Sequence, residues 1–204
     1  MIVVFGPPGS GKTTQLKKLE SALSHMQIKY QLEPTDGVSD LVRAVYAHEP
    51  GSVFRLQTHI LQQRCAGYEA ASGSPLIADG HIVTDYLMFV EPHVLSGALA
   101  GDELARYNLH YRQVRAAYGA TYNNIDLLVF LKISGAVAAK RIAERTSSGE
   151  AGVDPLVFEA MAERAIKVAQ MAPARKIVEI DGDRSVDEIH TDILKAVQCE
   201  LKRE

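Results

Sequence analysis

Short apolar runs alternate with longer segments whose apolar residues recur at helical spacing. Ile2–Phe5, Lys29–Leu32, Leu76–Ala78, Leu127–Leu131 and Lys176–Ile180 are brief, apolar or β-branched, and each is followed by turn or cap residues. Such runs read as strands buried on both faces, the pattern of a parallel sheet covered by helices. Between them Leu16, Leu19, Leu23 and Met26 form one helical stripe, and Val186, Ile189, Ile193, Val197 and Leu201 form another. Asp154-Pro155 predicts an N-cap with proline at the first helical position, opening a helix to about Met171. Asp102 is expected to cap a helix running towards Tyr118, and a further helix is expected from about Ser52 to Ala71. Pro34–Ser39 and Thr146–Val153 read as loops, the second glycine-rich and polar like a lid. The resulting fold class is α/β, three layers, with a five-stranded parallel sheet in the order 2-3-1-4-5. No repeat or second domain interrupts the pattern, so residues 1–204 read as one domain with a lid segment at about 141–155.

Composition narrows the class without naming it. The chain has 204 residues, 47% hydrophobic and 23% charged, ordinary values for a globular domain. A net charge of −3 gives no global attraction to nucleic acid or to an anionic membrane. Cys65 and Cys199 read as reduced thiols. The apolar run at Met1–Phe5 is too short for a signal peptide or a membrane span, so a cytoplasmic setting without membrane association is expected.

The chemistry begins at Gly6. Residues Gly6–Thr14 read GPPGSGKTT, matching G-x-x-x-x-G-K-[ST] between a predicted strand and a predicted helix. Gly6, Gly9, Ser10 and Gly11 would curl the backbone so that amide groups converge on phosphate oxygens at the helix's positive end, with Thr14 alongside. Lys12 is expected to reach the β- and γ-phosphates, and Thr13 to offer its hydroxyl to Mg²⁺. A guanine-reading Asn-Lys-x-Asp is lacking, and the third strand ends in Asp79-Gly80 where a motor ATPase usually carries Asp-Glu. A small-molecule kinase fits better than a GTPase or a motor.

From the P-loop to the lid helix the sequence resembles the deoxynucleoside kinases and, more loosely, the thymidylate kinases. Glu33-Pro34 after the second strand is similar to a family element that puts a carboxylate near the acceptor hydroxyl. Gln57-Thr58 with Arg64 seven residues on resembles the family's Gln-Thr…Arg helix, whose glutamine contacts the base. Asp79 and Asp85 match two further acids, but the arginines that accompany them in the family are replaced here by Gly80 and Tyr86. Arg64, Arg141 and Arg145 are candidates for the missing charge; His81 is read first as structural. Arg141 and Arg145, four apart, are expected to share a lid-helix face and clamp phosphates.

The resemblance implies ATP with Mg²⁺, Asp79 as general base or as anchor of a Mg²⁺-bound water, and Glu33 orienting the hydroxyl. It implies Gln57, Arg64 and Asp85 around a nucleobase, and a homodimer. The expected activity is transfer of the γ-phosphate of ATP to a nucleoside or nucleoside monophosphate. The alternatives are an unusual acceptor, such as a hydroxymethylated base in DNA, a sugar or an antibiotic, and a non-catalytic nucleotide-binding module. DNA is disfavoured by the weak acidity of the chain.

Overall fold

Strand β1 (Ile2–Phe5) is buried along its whole length, because other strands pair with it on both sides and helices cover both its faces. In the computed structural model, which describes residues 1–32, 37–72, 74–122, 124–145 and 153–202, β1 is the middle of a parallel five-stranded sheet. Its partners are β2 (Lys29–Gln31), β3 (Leu76–Ala78), β4 (Ile125–Lys132) and β5 (Ala174–Asp181), in the order β2-β3-β1-β4-β5. Register aligns Ile2 with Ile77 and Leu127, and Phe5 with Phe130. That is the strand order the sequence predicts. β4 and β5 run longer than their apolar runs, because main-chain pairing continues from Ile125↔Ala174 to Lys132↔Asp181 through residues that are not all apolar.

Helices α1 (Lys12–Ala22) and α9 (Val186–Leu201) pack on one face through Leu16, Leu19, Ile189, Ile193 and Val197. Each such leucine or isoleucine removed from water contributes roughly 1.5–3 kcal/mol. The α1 stripe stops at Leu23, where the helix ends; Met26 lies beyond it and is exposed, a correction to the four-residue stripe. The opposite face carries α3 (Ser52–Ala70), α6 (Gly101–Tyr122) and α8 (Pro155–Met171). Asp154 accepts the Leu156 N–H at 2.9 Å with Pro155 at the first position, as that dipeptide predicts. Asp102, by contrast, is not the cap of α6. The helix opens at Gly101, which leaves Asp102 and Glu103 in its first turn, where their charge suits the dipole.

The remaining elements are short. α2 (Val38–Tyr46) takes in Ser39, so the loop expected over Pro34–Ser39 gives way to helix from Val38, while residues 33–36 lie outside the described residues. α4 (Ile82–Asp85) runs into a π-helical turn (Tyr86–Val90) and α5 (Glu91–Leu95); α7 (Gly135–Ala143) ends inside the segment expected as a lid at about 141–155, of which residues 146–152 lie outside the described residues. Among the described residues no helix is long and apolar enough to cross a membrane. All five strands point the same way, so the turn after β1 and the residue after β3 reach one edge of the sheet.

Candidate active site

The turn between β1 and α1 is shaped by glycine. Gly9 and Gly11 hold φ of 81° and 91°, a left-handed conformation that costs other residues dearly. A Cβ on Gly6 would stand 2.7 Å from the Leu131 carbonyl, so the loop can lie against β4 only without a side chain there. Ser10 N donates to the Pro7 carbonyl at 3.1 Å, and Ser10 Oγ is buried with no hydrogen-bond partner among the described residues. An orphaned hydroxyl inside a loop of converging amides suits a phosphate oxygen. Lys12 folds back onto this loop, its Nζ donating to the carbonyls of Gly6 at 3.0 Å and Pro7 at 3.3 Å. Thr13 is half-buried and Thr14 exposed at the start of α1.

Arg141, on α7, closes the other side of the loop. Its guanidinium donates to the Gly9 carbonyl at 3.4 Å and to the Gly182 carbonyl, just past β5, at 2.9 Å. Arg145 does not share its helix face. α7 ends at Ala143, and Arg145 lies one residue past the C-cap Glu144, exposed, its N–H bonded to the Ile142 carbonyl instead of continuing the helix.

Across the sheet edge, β3 ends in Asp79, whose N–H donates to the Gln31 carbonyl at 3.1 Å. Asp79 is 2% exposed and Arg64 4%. Arg64 Nη1 donates to Asp79 Oδ1 at 3.0 Å and Arg64 Nε to Asp85 Oδ2 at 2.8 Å. One guanidinium therefore holds both acids at well-formed hydrogen-bond distances. Gln57 is buried two turns earlier on α3. The structure thus gathers Arg64, Asp79 and Asp85 into one cluster, with Gln57 further back on the same helix. Glu33, the remaining acid of the sequence reading, lies outside the described residues.

Behind the cluster His81 is fully buried and structural. Its Nδ1 accepts the Val83 N–H at 3.2 Å, which leaves Nε2 to donate to the Tyr122 carbonyl at 2.6 Å. Burial is the main cause that lowers its pKa below the ordinary 6.5. As pH falls below that value the unfolded chain takes up a proton that the folded chain refuses, so this contribution is present above 6.5 and lost on acidification. An imidazole NMR titration should find the His81 midpoint below the ordinary 6.5, with the neutral ring's proton on Nε2; a midpoint above 6.5 would overturn the assignment.

Tyr86 and two tyrosines without a place in the sequence motifs, Tyr107 and Tyr111, line the same region. Tyr86 on the π turn lies 5.0 Å from Tyr111 and 6.4 Å from Tyr107, ring centre to ring centre, and burial next to Asp85 raises the Tyr107 phenol. The available signal was the spacing of Tyr107 and Tyr111, four apart on one face of α6. The π turn had none. It exposes the Leu87 carbonyl, which Arg164 of α8 occupies through Nε at 2.8 Å.

Comparison with known proteins adds a family to this geometry. The model of the deoxynucleoside kinase family matches residues 2–201. The chain belongs to the deoxynucleoside kinase family, and it is a kinase. An adenylate kinase of Phenylobacterium zucineum is 28% identical over 202 residues, 92% of each chain. Deoxyadenosine kinase from M. mycoides with the products dCMP and dCDP bound superposes with a TM-score of 0.70 at 17% identity, over 98% of this chain and 99% of that one. The same enzyme with dATP bound gives 0.70 at 18% identity, over 97% and 98%. At these identities the structural likeness speaks for the fold.

Against that family pattern the two missing arginines have different outcomes. At position 80 a Cβ would stand 2.1 Å from Arg64 Nη2 and 2.8 Å from Asp85 Oδ1, so the guanidinium of Arg64 fills the room a side chain would need. At position 86 the tyrosine joins the aromatic wall. The space beside Gly80 at the end of β3 is thus taken by the Arg64 guanidinium, reaching in from α3.

Proposed function

We propose that this kinase transfers the γ-phosphate of ATP to a hydroxyl of a nucleoside, in preference to a nucleoside monophosphate. The observation that supports the choice of acceptor is that, among the described residues, one guanidinium, Arg64, is bonded to two carboxylates, Asp79 and Asp85. The charge of Arg64 is already matched by two acids, so the cluster repels a phosphorylated acceptor and tolerates a neutral hydroxyl. The 28% identity to an adenylate kinase favours the monophosphate as the second reading.

In the proposed reaction Lys12 leaves its two loop carbonyls for the β- and γ-phosphates, which the P-loop amides and Ser10 Oγ also meet. Asp79 takes the proton of the acceptor hydroxyl as its oxygen bonds to phosphorus and the bridging oxygen departs with ADP. The Arg64 hydrogen bond on Oδ1 orients that carboxylate. Glu33 assists at the hydroxyl, Arg141 and Arg145 contribute charge on the nucleotide side, and Gln57, Arg64 and Asp85 line the base. Mg²⁺ would be held by the Thr13 hydroxyl, with Asp79 directly or through water, and neutralises phosphate charge when it enters with the nucleotide. No cluster of three or more ligands among the described residues offers it a separate cage, which suits a metal carried by phosphates.

The test is phosphate transfer from labelled ATP to deoxynucleosides, their monophosphates, and DNA with and without hydroxymethylated pyrimidines. Nucleosides should be the best acceptors, and Gln57→Ala should weaken the preferred one by roughly 1–3 kcal/mol as its base loses a hydrogen-bonding partner. Transfer to sugars or other alcohols alone would sink the base-reading role of α3.

A further inference from the structure

Resting on the functional reading above, we infer that Arg64 is a positioning residue for Asp79 as well as a partner of Asp85, and that residue 80 is glycine to admit it. A single guanidinium then ties the hydroxyl side of the pocket to its base side.

The placement is built, not incidental. Gln31, at the end of β2, donates through Nε2 to the Gln63 carbonyl at 2.7 Å and to the Arg64 carbonyl at 3.4 Å. Gly67 lets that amide in, since a Cβ there would meet Gln31 Nε2 at 2.0 Å. The backbone of α3 is therefore held to the carboxyl edge of the sheet beside the residue whose side chain crosses to Asp79. The Arg64 side chain is 5% exposed and that of Asp79 0%, so neither rotates without losing its partner to a dry interior. At position 80 a methyl group would overlap Arg64 Nη2. The least costly accommodation is displacement of the guanidinium, which would loosen both acids at once.

A purely structural ion pair predicts loss of stability and no selective loss of turnover. A positioning role predicts more. Arg64 reaches Asp79 through Nη1 and Asp85 through Nε, a forked arrangement that a lysine ammonium cannot reproduce. Nucleobases that disturb Asp85 should therefore also disturb Asp79, and discrimination should show in kcat as well as KM.

The experiment measures kcat, KM and thermal melting for wild type, Arg64→Met, Arg64→Lys, Gly80→Ala and the double variant Arg64→Met with Gly80→Ala, using the best acceptor of the panel. Arg64→Met should lower kcat on the order of 10²-fold, the usual effect of misplacing a catalytic group by about an ångström. Arg64→Lys should recover only part of it. Gly80→Ala should lower kcat about tenfold or more and Tm by about 3 °C or more, yet add little to Arg64→Met, because it acts by displacing that arginine. The inference is overturned if Arg64→Met raises KM and spares kcat, or if Gly80→Ala costs the same in both backgrounds. Failure of the functional reading looks different: wild type then transfers to no nucleoside or nucleotide at all. The positioning role falls with it, and the melting data alone decide whether Arg64 accounts for Gly80.

Discussion

Lys12→Ala should reduce turnover by at least ~10²-fold while leaving the protein folded. Removing a preorganised charge contact to the transferring group costs on the order of 3 kcal/mol or more in the barrier, and each 1.4 kcal/mol is about a factor of ten. The folded state loses little, because the ammonium donates to the carbonyls of Gly6 and Pro7 in its own loop and is half-buried at the head of α1. The check is steady-state turnover beside a melting curve. A variant keeping more than about a tenth of wild-type turnover would refute the phosphate role, since that corresponds to under about 1.4 kcal/mol.

Asp79→Asn should lower kcat by ~10²–10⁴-fold, the range a positioned general base contributes, with ATP binding changed modestly. The amide preserves the shape that packs against Arg64 but can neither accept the proton nor match the guanidinium's charge. With the carboxylate gone, Arg64 keeps Asp85 at 2.8 Å as a charged partner, so the fold should survive at a cost of roughly 1–3 kcal/mol for the weakened buried bond. Kinetics and ATP titration in the presence of Mg²⁺ separate the two roles of the carboxylate. Loss of Mg²⁺-ATP affinity with kcat nearly intact would move Asp79 from base to metal holder.

The phosphate loop and strand order were legible because they are local. Gly9 and Gly11 are needed where the backbone turns left-handed, and five short apolar runs separated by helical stripes leave few ways to build a parallel sheet. The start of α8 was legible from its capping side chain, Asp154, whereas α6 opens one residue before the expected cap Asp102. Arg145 was placed on the face of Arg141 by counting four residues, which holds only while the helix lasts; α7 stops at Ala143. Along a chain, spacing says what could share a face, and the hydrogen bonding of the turn decides whether it does.

The acceptor side divides in the same way. The sequence by itself determined which acids and which glutamine stand at strand ends and on α3, because those follow from element order and from helical period. It also showed that arginines are missing at positions 80 and 86. What occupies the space beside Gly80 was decided only by tertiary structure. Arg64 and Gly80 are far apart in the chain, and their relation exists because Gln31 and Gly67 hold α3 close enough for a guanidinium to enter the space where a Cβ would have been. Steric exclusion between residues brought together by packing leaves no periodic trace in a sequence.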